Sequence, residues 1–150
     1  MNSDLITAIA TSVGIIFTLI SIYVALEQYK KENRFKKAAY FSDMRNKFKT
    51  NQVFNQIREA VNAGQNLHQF TQTQLYDYAG FFEELQIAIN SNFIKAEMVY
   101  YLFGHYIIEF TNVNDPRIQL DAQLWSLLST LTNRMRVMDN PQPNFTNLNF

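Results

Sequence analysis

One uncharged segment near the N-terminus constrains the fold more than any other feature of the chain. Residues 5–26, LITAIATSVGIIFTLISIYVAL, are 22 residues without a charge or a proline. As a helix they would be about 33 Å long, and about 30 Å is enough to cross the hydrocarbon core of a bilayer. A signal peptide needs a basic start and a small-x-small cleavage site, but the chain begins Met1-Asn2-Ser3-Asp4, and bulky Tyr23 stands two residues before Ala25. The sequence therefore predicts a retained transmembrane helix over 5–26, with a buried core helix of a soluble protein as the alternative.

Charge is spread unevenly along the 150 residues, although 13 Lys+Arg balance 13 Asp+Glu. Residues 27–49 carry eight bases against three acids, and the chain from residue 50 onward carries five bases against nine acids. Because Lys and Arg accumulate on the cytoplasmic side of a span, we expect residues 1–4 outside the cell and the C-terminal domain in the cytoplasm. A base cluster directly after a span is explained by this topology, so no nucleic-acid partner is expected. The bases expected at the lipid headgroups are Lys30, Lys31, Arg34, Lys36 and Lys37.

Small and weakly polar residues recur within the span at alternating steps of four and three. This spacing places them on one side of a helix. Helices in lipid associate through close backbone approach and hydroxyl hydrogen bonds, so the stripe predicts a homo-oligomer. Two alternatives are hydroxyls that bond back to carbonyls of their own helix and a water-lined pore. We call this set the small-residue stripe; it comprises Thr7, Thr11, Gly14, Thr18, Ser21 and Ala25.

Beyond the span, the periodicity predicts an all-α fold, because no stretch alternates with period two as a half-buried strand would. A basic juxtamembrane stalk helix is expected over 27–49, a cytoplasmic bundle of about four helices over 50–138, and a flexible tail rich in Asn and Pro over 139–150. Apolar residues at steps of three and four are expected on the inner side of the stalk: Phe35, Ala38, Phe41, Met44 and Phe48.

Local signals mark the ends of the helices in the bundle. A break is expected at Thr50-Asn51, a C-terminal stop at Gly64 and another helix end at Ser91-Asn92. Thr71 and Gln74 have the spacing of a capping box. The following helix should bury Leu75, Tyr78, Phe82, Leu85 and Ile89.

The last two helices are predicted from longer apolar stripes. The first is apolar nearly all round, as a central bundle helix would be, with a stripe of Ile94, Met98, Leu102, Tyr106 or His105, and Ile108. The second is expected to start at Asp115-Pro116, with a stripe of Leu120, Leu124, Leu127 or Leu128, Leu131, Met135 and Met138.

Residues capable of chemistry are few and scattered. The chain has no Cys and two His, and its four Gly form no phosphate-binding loop. His105 and Glu109 stand four apart on a helix, but no motif supplies a third ligand or a nucleophile. Glu83 or Glu84 is expected to pair with a base such as Lys95 or Arg58. We therefore expect no enzyme, metal, cofactor or small-molecule substrate.

Residues 78–110 carry a resemblance to a known group of proteins. Phe82-Glu83-Glu84-Leu85, a short Asn turn, and Ile94, Glu97, Val99 and Tyr100 in the next helix resemble a large uncharacterised family of single-span bacterial membrane proteins. The resemblance implies a membrane-tethered helical domain in the bacterial inner membrane. A more distant similarity is to the HEPN-like membrane accessory proteins of RNA-targeting CRISPR systems, which implies oligomeric pores; the closely spaced Arg and His of HEPN RNases are absent.

These observations favour a membrane-anchored, non-enzymatic interaction protein of bacterial or phage origin. It would contact membrane lipids, self-associate through the small-residue stripe and bind an unknown cytoplasmic protein through its bundle. The alternative is an oligomeric pore-forming or membrane-perturbing effector in bacterial defence. A third class, a hydrolase or nuclease around His105 and Glu109, is disfavoured by the missing motifs.

Overall fold

The structure is a computed structural model that describes residues 3–113, 115–118, 123–140 and Phe145, with the side chains of residues 4–8 and 10 excepted. Helices make up most of these residues, and no strand occurs among them. The chain is all-α, with one long apolar N-terminal helix followed by a helical bundle. This confirms the predicted fold class.

The chain divides into two compact units, Met1–Ala39 and Tyr40–Phe150. Helix α1, Ser3–Thr50, runs without a break through the first unit and ends in the second. Its continuity follows from the absence of Gly and Pro between residues 15 and 50, since either residue would weaken a helix interior. The predicted break at Thr50-Asn51 is confirmed.

The first unit exposes its apolar side chains. Among the described residues, one helix, within Thr11–Thr50, is long and apolar enough by length and composition to cross a membrane, and none of its most apolar segment is buried. Phe17 and Leu19, for example, are 66% and 61% exposed. A core helix of a soluble protein would bury such side chains, so this apolar surface needs lipid or another chain to cover it.

The second unit is a bundle built around one aromatic side chain, Phe48, at the C-terminal end of α1. Phe48 is 2% exposed, and its ring centroid lies between 5.2 and 6.3 Å from those of six other rings. Aromatic rings contribute large buried areas and favourable edge and stacked contacts, so this cluster is the centre of the core. The six rings are those of Phe54, Tyr78, Phe81, Phe82, Phe103 and Tyr106.

Helices α2, Gln52–Asn62, and α3, Gln72–Asn90, begin and end at the expected signals. The Asn51 side chain caps α2, and Gly64 follows it with a positive φ of 63°. The capping box at the start of α3 is confirmed, because Thr71 and Gln74 satisfy each other's backbone N–H groups. The five apolar residues predicted for the core face of α3 are all buried.

The next helical stretch differs from the prediction. Helix α4, Ala96–Val99, passes into a π-helical segment, Tyr100–Gly104, and then into α5, His105–Asn112. A π-helical turn bonds residue i to i+5 in place of i+4, so it moves the core-facing position one residue along the chain relative to an α-helical stripe. Val99, Phe103 and Ile107 are therefore the residues that face the core, whereas the predicted stripe members Leu102 and Ile108 are only half-buried.

The last helix begins later than expected. Asp115 and Pro116 lie in a turn, and a 3₁₀ turn, Gln123–Trp125, precedes α6, Ser126–Asp139. Leu128, Leu131 and Met135 are fully buried as predicted, but Leu124 is 65% exposed. Leu120 lies outside the described residues. Buried Trp125, which the stripe did not include, packs edge-to-face on Tyr76 at 4.9 Å.

The stalk prediction was wrong for one residue. Phe41, Met44 and Phe48 are buried, but Phe35 is 64% exposed. Steps of three fall about 60° short of a full helical turn, so Phe35, two such steps before Phe41, points about 120° away.

Candidate functional site

The small-residue stripe lies along the exposed face of α1. At about 100° per residue, its six positions fall within an arc of about 80°. Thr11, Gly14, Thr18, Ser21 and Ala25 are all exposed, and the side chain of Thr7 lies outside the described residues. Apart from Gly14 itself, its two neighbours and the nearby backbone of its own helix, no described atom lies within 4 Å of the place where a Cβ on Gly14 would stand. The stripe is therefore open to close approach by another helix.

Two hydroxyl groups of the stripe bond within their own helix. Thr18 Oγ1 donates to the Gly14 carbonyl oxygen at 2.9 Å, and Ser21 Oγ donates to that of Phe17 at 2.8 Å. These bonds satisfy the hydroxyl protons without a partner helix, as the back-bonding alternative expects. Each hydroxyl oxygen still has lone pairs that can accept a hydrogen bond.

The basic residues expected at lipid headgroups follow the span on α1. Lys30, Arg34 and Lys37 fall within an arc of about 60°, while Lys31 and Lys36 lie on other sides. Lys30 and Lys36 form exposed ion pairs of 2.8 and 2.7 Å with Glu27 and Glu32; surface pairs of this kind add little stability. The five bases therefore surround the helix instead of forming one face.

Two tyrosines on α1 were not identified from the sequence. Tyr23 and Tyr29 are 66% and 68% exposed, and they bracket the end of the apolar segment. Tyrosine is enriched at membrane interfaces because its ring is apolar and its hydroxyl is polar. Tyr29 directly precedes Lys30, the first lysine, and Tyr23 stands about two helical turns before it. This placement was the signal that could have found them.

His105 and Glu109 stand four apart on α5. His105 is exposed, and its ring makes an edge contact with Tyr106 at 5.5 Å. Glu109 is half-buried one turn further along α5. Within the described part of the chain, no group of three or more His, Cys, Asp or Glu residues is placed to hold a metal ion.

A groove of about 460 Å³ runs beside the π-helical segment. We call it the tyrosine groove, because Tyr100, Tyr101 and Tyr106 line it together with Phe145, His105, Glu109 and Asp139. The Phe145 ring stacks on Tyr100 at 5.9 Å and lies 5.2 Å from Tyr101. The sequence predicted only a flexible tail over 139–150, since nothing local indicates a partner for Phe145; residues 141–144 and 146–150 of that tail lie outside the described residues.

A charged clamp joins two loops of the bundle. Arg117 donates to both carboxylate oxygens of Asp115, at 2.8 and 2.7 Å, and to the carbonyl oxygens of Phe70 and Leu67, at 2.6 and 2.8 Å. The hydrogen bond from Arg117 lowers the pKa of Asp115 below its usual value. The clamp fixes the loop between α2 and α3, and its role is structural.

Arg58 on α2 is a further cation whose partners the sequence did not reveal. Its guanidinium lies over the rings of Phe48, at 4.5 Å, and Tyr106, at 5.3 Å. Nη2 donates to Asn55 Oδ1, while Nε is buried without a hydrogen-bond partner among the described residues. Cation–π contacts thus take the place of the expected pairing with Glu83 or Glu84.

Both glutamates have other partners. Glu84 forms a surface ion pair with Lys47 on α1 at 3.2 Å. Glu83 Oε1 accepts the backbone N–H of Leu128 at 3.2 Å and so caps the first turn of α6. The expected ion pair between Glu84 and a base is present, but the base is Lys47, because the pairing depends on how distant helices meet.

Fold and surfaces together define an all-α protein with one exposed apolar helix of membrane-spanning length and an aromatic-centred helical bundle. Comparison with protein family models and with curated proteins finds no match, and comparison with solved structures finds none either.

Proposed function

We propose that this protein is a membrane-anchored, non-enzymatic interaction protein of bacterial or phage origin. Residues 5–26 span the inner membrane, residues 1–4 are outside, and the bundle lies in the cytoplasm. The chain self-associates through the small-residue stripe and docks a cytoplasmic protein through its bundle. This assignment agrees with the resemblance of residues 78–110 to uncharacterised single-span bacterial membrane proteins.

The observation that carries the proposal is the exposure of the described side chains in the apolar half of α1. Side chains on every side of this helix, such as Val13, Ile15 and Ile16, are 45 to 55% exposed. In water such a surface would drive aggregation, whereas in a bilayer it is solvated by lipid. The neighbouring tyrosines and five bases are the residues expected at the cytoplasmic interface.

Self-association is supported by the shape of the stripe. In lipid, no hydrophobic gain comes from burying one leucine against another, so helices meet where their backbones approach closely. Gly14 lies at the middle of the stripe with open space above it. Residues on the opposite side, such as Ile16, are bulky and suited to lipid.

Gly14→Leu tests the proposal. The added side chain would hold two helices apart, so we expect the yield of crosslinked dimer in membranes to fall at least fivefold. The matched controls are Gly14→Ala, which keeps the residue small, and Ile16→Leu, which changes the opposite side; both should retain association. Equal crosslinking of Gly14→Leu and Ile16→Leu would remove the stripe from the proposal.

A pore-forming effector is the second candidate, because the exposed stripe carries the hydroxyls of Thr11, Thr18 and Ser21. In a ring of several copies these groups would face water. Membrane depolarisation on expression, abolished by Thr18→Val, would support a pore, whereas an anchored interaction protein produces no depolarisation. A native mass measurement in detergent separates dimers from rings.

A further inference from the structure

The tyrosine groove contains an exposed aromatic side chain, Tyr101. Tyr101 is 59% exposed, although it adjoins a core in which most other aromatic side chains are buried. Its ring and that of Tyr106 both line the groove. Aromatic rings offer a negative face, and a cation placed over such a face is attracted to it.

The backbone around the groove is arranged to hold its rings in place. The Tyr100 hydroxyl donates to Asp139 Oδ1 at 2.7 Å, which ties the π-helical segment to the end of α6. A Cβ on Gly104 would lie 2.6 Å from Tyr100 Cδ2, so the Tyr100 ring requires a glycine at that position. π-Helical turns inside α-helices often occur at functional sites.

Two acidic side chains and His105 line the tyrosine groove. Glu109 and Asp139 supply carboxylates, and no Lys or Arg stands among the described residues that line it. The chain from residue 50 onward has nine acids against five bases, so the groove adds to an acidic domain. Rings combined with carboxylates complement a cationic side chain.

We propose that the tyrosine groove binds a Lys or Arg side chain in a basic segment of a separate partner protein. The cation lies over the exposed face of Tyr101, and Glu109 with Asp139 provides the opposite charge. The inference rests on the part of the proposed function that gives the bundle a protein partner. It does not depend on the transmembrane span or on self-association.

Binding is measured with the full-length chain in dodecyl maltoside, whose uncharged headgroup does not compete for the groove. The probe is a dye-labelled peptide of alternating Arg and Gly with blocked ends, followed by fluorescence anisotropy. The control peptide carries citrulline in place of Arg, which keeps the shape and removes the charge. We expect the Arg peptide to bind at least tenfold more tightly than the citrulline peptide.

Variants locate the binding site. Tyr101→Leu keeps an apolar side chain without a ring, and Glu109→Gln removes one charge; each should weaken binding about three- to tenfold. Glu97→Gln is the matched control, since Glu97 is exposed on α4 outside the groove. Circular dichroism checks that each variant is folded.

The possible results are distinct. Equal binding of the two peptides, or unchanged affinity in both groove variants, overturns the proposal. A peptide of residues 27–39 that binds more tightly than the Arg peptide would assign the groove to a second copy of this chain and overturn the separate partner. Gly14→Leu should bind the Arg peptide normally, so failure of self-association and failure of the groove are distinguishable.

Discussion

At the scale of single residues, Gly104 is a position where side-chain packing depends directly on the residue type. The ring of Tyr100 occupies the space that a Gly104 side chain would need. The same ring carries the hydroxyl that bonds Asp139, and it stacks on Phe145. One absent methyl group therefore permits a contact between two helices.

Gly104→Ala should destabilise the protein by about 1–3 kcal/mol, because Tyr100 must move and its bond to Asp139 is lost. Gly80→Ala is the control: Gly80 lies within α3 with nothing within 4 Å of its Cβ position. Alanine is the better helix former, so this change should stabilise by about 0.5–1 kcal/mol. Thermal unfolding followed by circular dichroism compares the two, and equal melting temperatures would contradict the role of Gly104.

Asp115 gives the fold a specific dependence on pH. Its pKa is lowered from 3.8 in the folded chain, chiefly by the Arg117 hydrogen bond. The folded state therefore binds fewer protons than the unfolded state as pH falls toward that value. The stability contributed by the carboxylate is complete above the unfolded pKa and is lost as pH falls through the folded one.

Asp115→Asn should lower the free energy of unfolding at about pH 7 by about 1–3 kcal/mol, the usual range for a charge-assisted hydrogen bond. Below the folded pKa the unsubstituted chain also has a neutral side chain there, so the difference should narrow. Thermal unfolding measured over a pH series, from about pH 7 downward, follows how this difference in unfolding free energy changes. If the difference in unfolding free energy between the variant and the unsubstituted chain stays constant across the pH series, the clamp acts through packing and not through charge.

At the scale of secondary-structure elements, the sequence predicted those features that are determined by residues close together in the chain. The cap at Thr71, the stop at Gly64 and the small-residue stripe were all readable because they are set by local chemistry or by helical period. The core face of α4 and α5 was not, since the π-helical segment shifts the period. The tyrosine groove and the ring contacts of Arg58 depend on distant helices meeting, which one sequence does not encode locally.

Variants of Glu83 and Glu84 compare the stability contributed by a helix cap from a distant residue with that contributed by a surface ion pair. Glu83→Ala removes the acceptor for an N-terminal amide of α6 and should cost about 1 kcal/mol. Glu84→Ala breaks only the pair with Lys47, whose partners are about half exposed, and should cost less than about 0.5 kcal/mol. Chemical unfolding of both variants tests the ranking, and a reversed order would show that Glu83 does not stabilise α6.

At the scale of the whole molecule, the separation of charge along the chain matters more than its sum. The bases between residues 30 and 37 follow the apolar segment directly, and the bundle beyond is acidic. In a membrane protein this order fixes which end crosses the bilayer.

The absence of cysteine makes the orientation measurable, because a single introduced thiol reports its own side of the membrane. A membrane-impermeant maleimide applied to intact cells should label Ser3→Cys and leave Gln65→Cys unlabelled. Replacing the five bases between Lys30 and Lys37 with Gln should give mixed orientations, so that part of Gln65→Cys becomes labelled. The control replaces Arg134 and Arg136 with Gln, which should change nothing. Labelling of Gln65→Cys in the otherwise unchanged chain would show that the bundle lies outside the cell and would contradict the proposed orientation.

The location of Phe48 also decides where the chain can be divided. A fragment starting at residue 50 would lack Phe41, Met44 and Phe48, and the rings that surround Phe48 would border an unfilled cavity. A fragment beginning just before Tyr40 keeps about three turns of α1 and the whole aromatic centre. Preparing the bundle without its apolar segment therefore requires cutting within a continuous helix, upstream of the point where that helix ends.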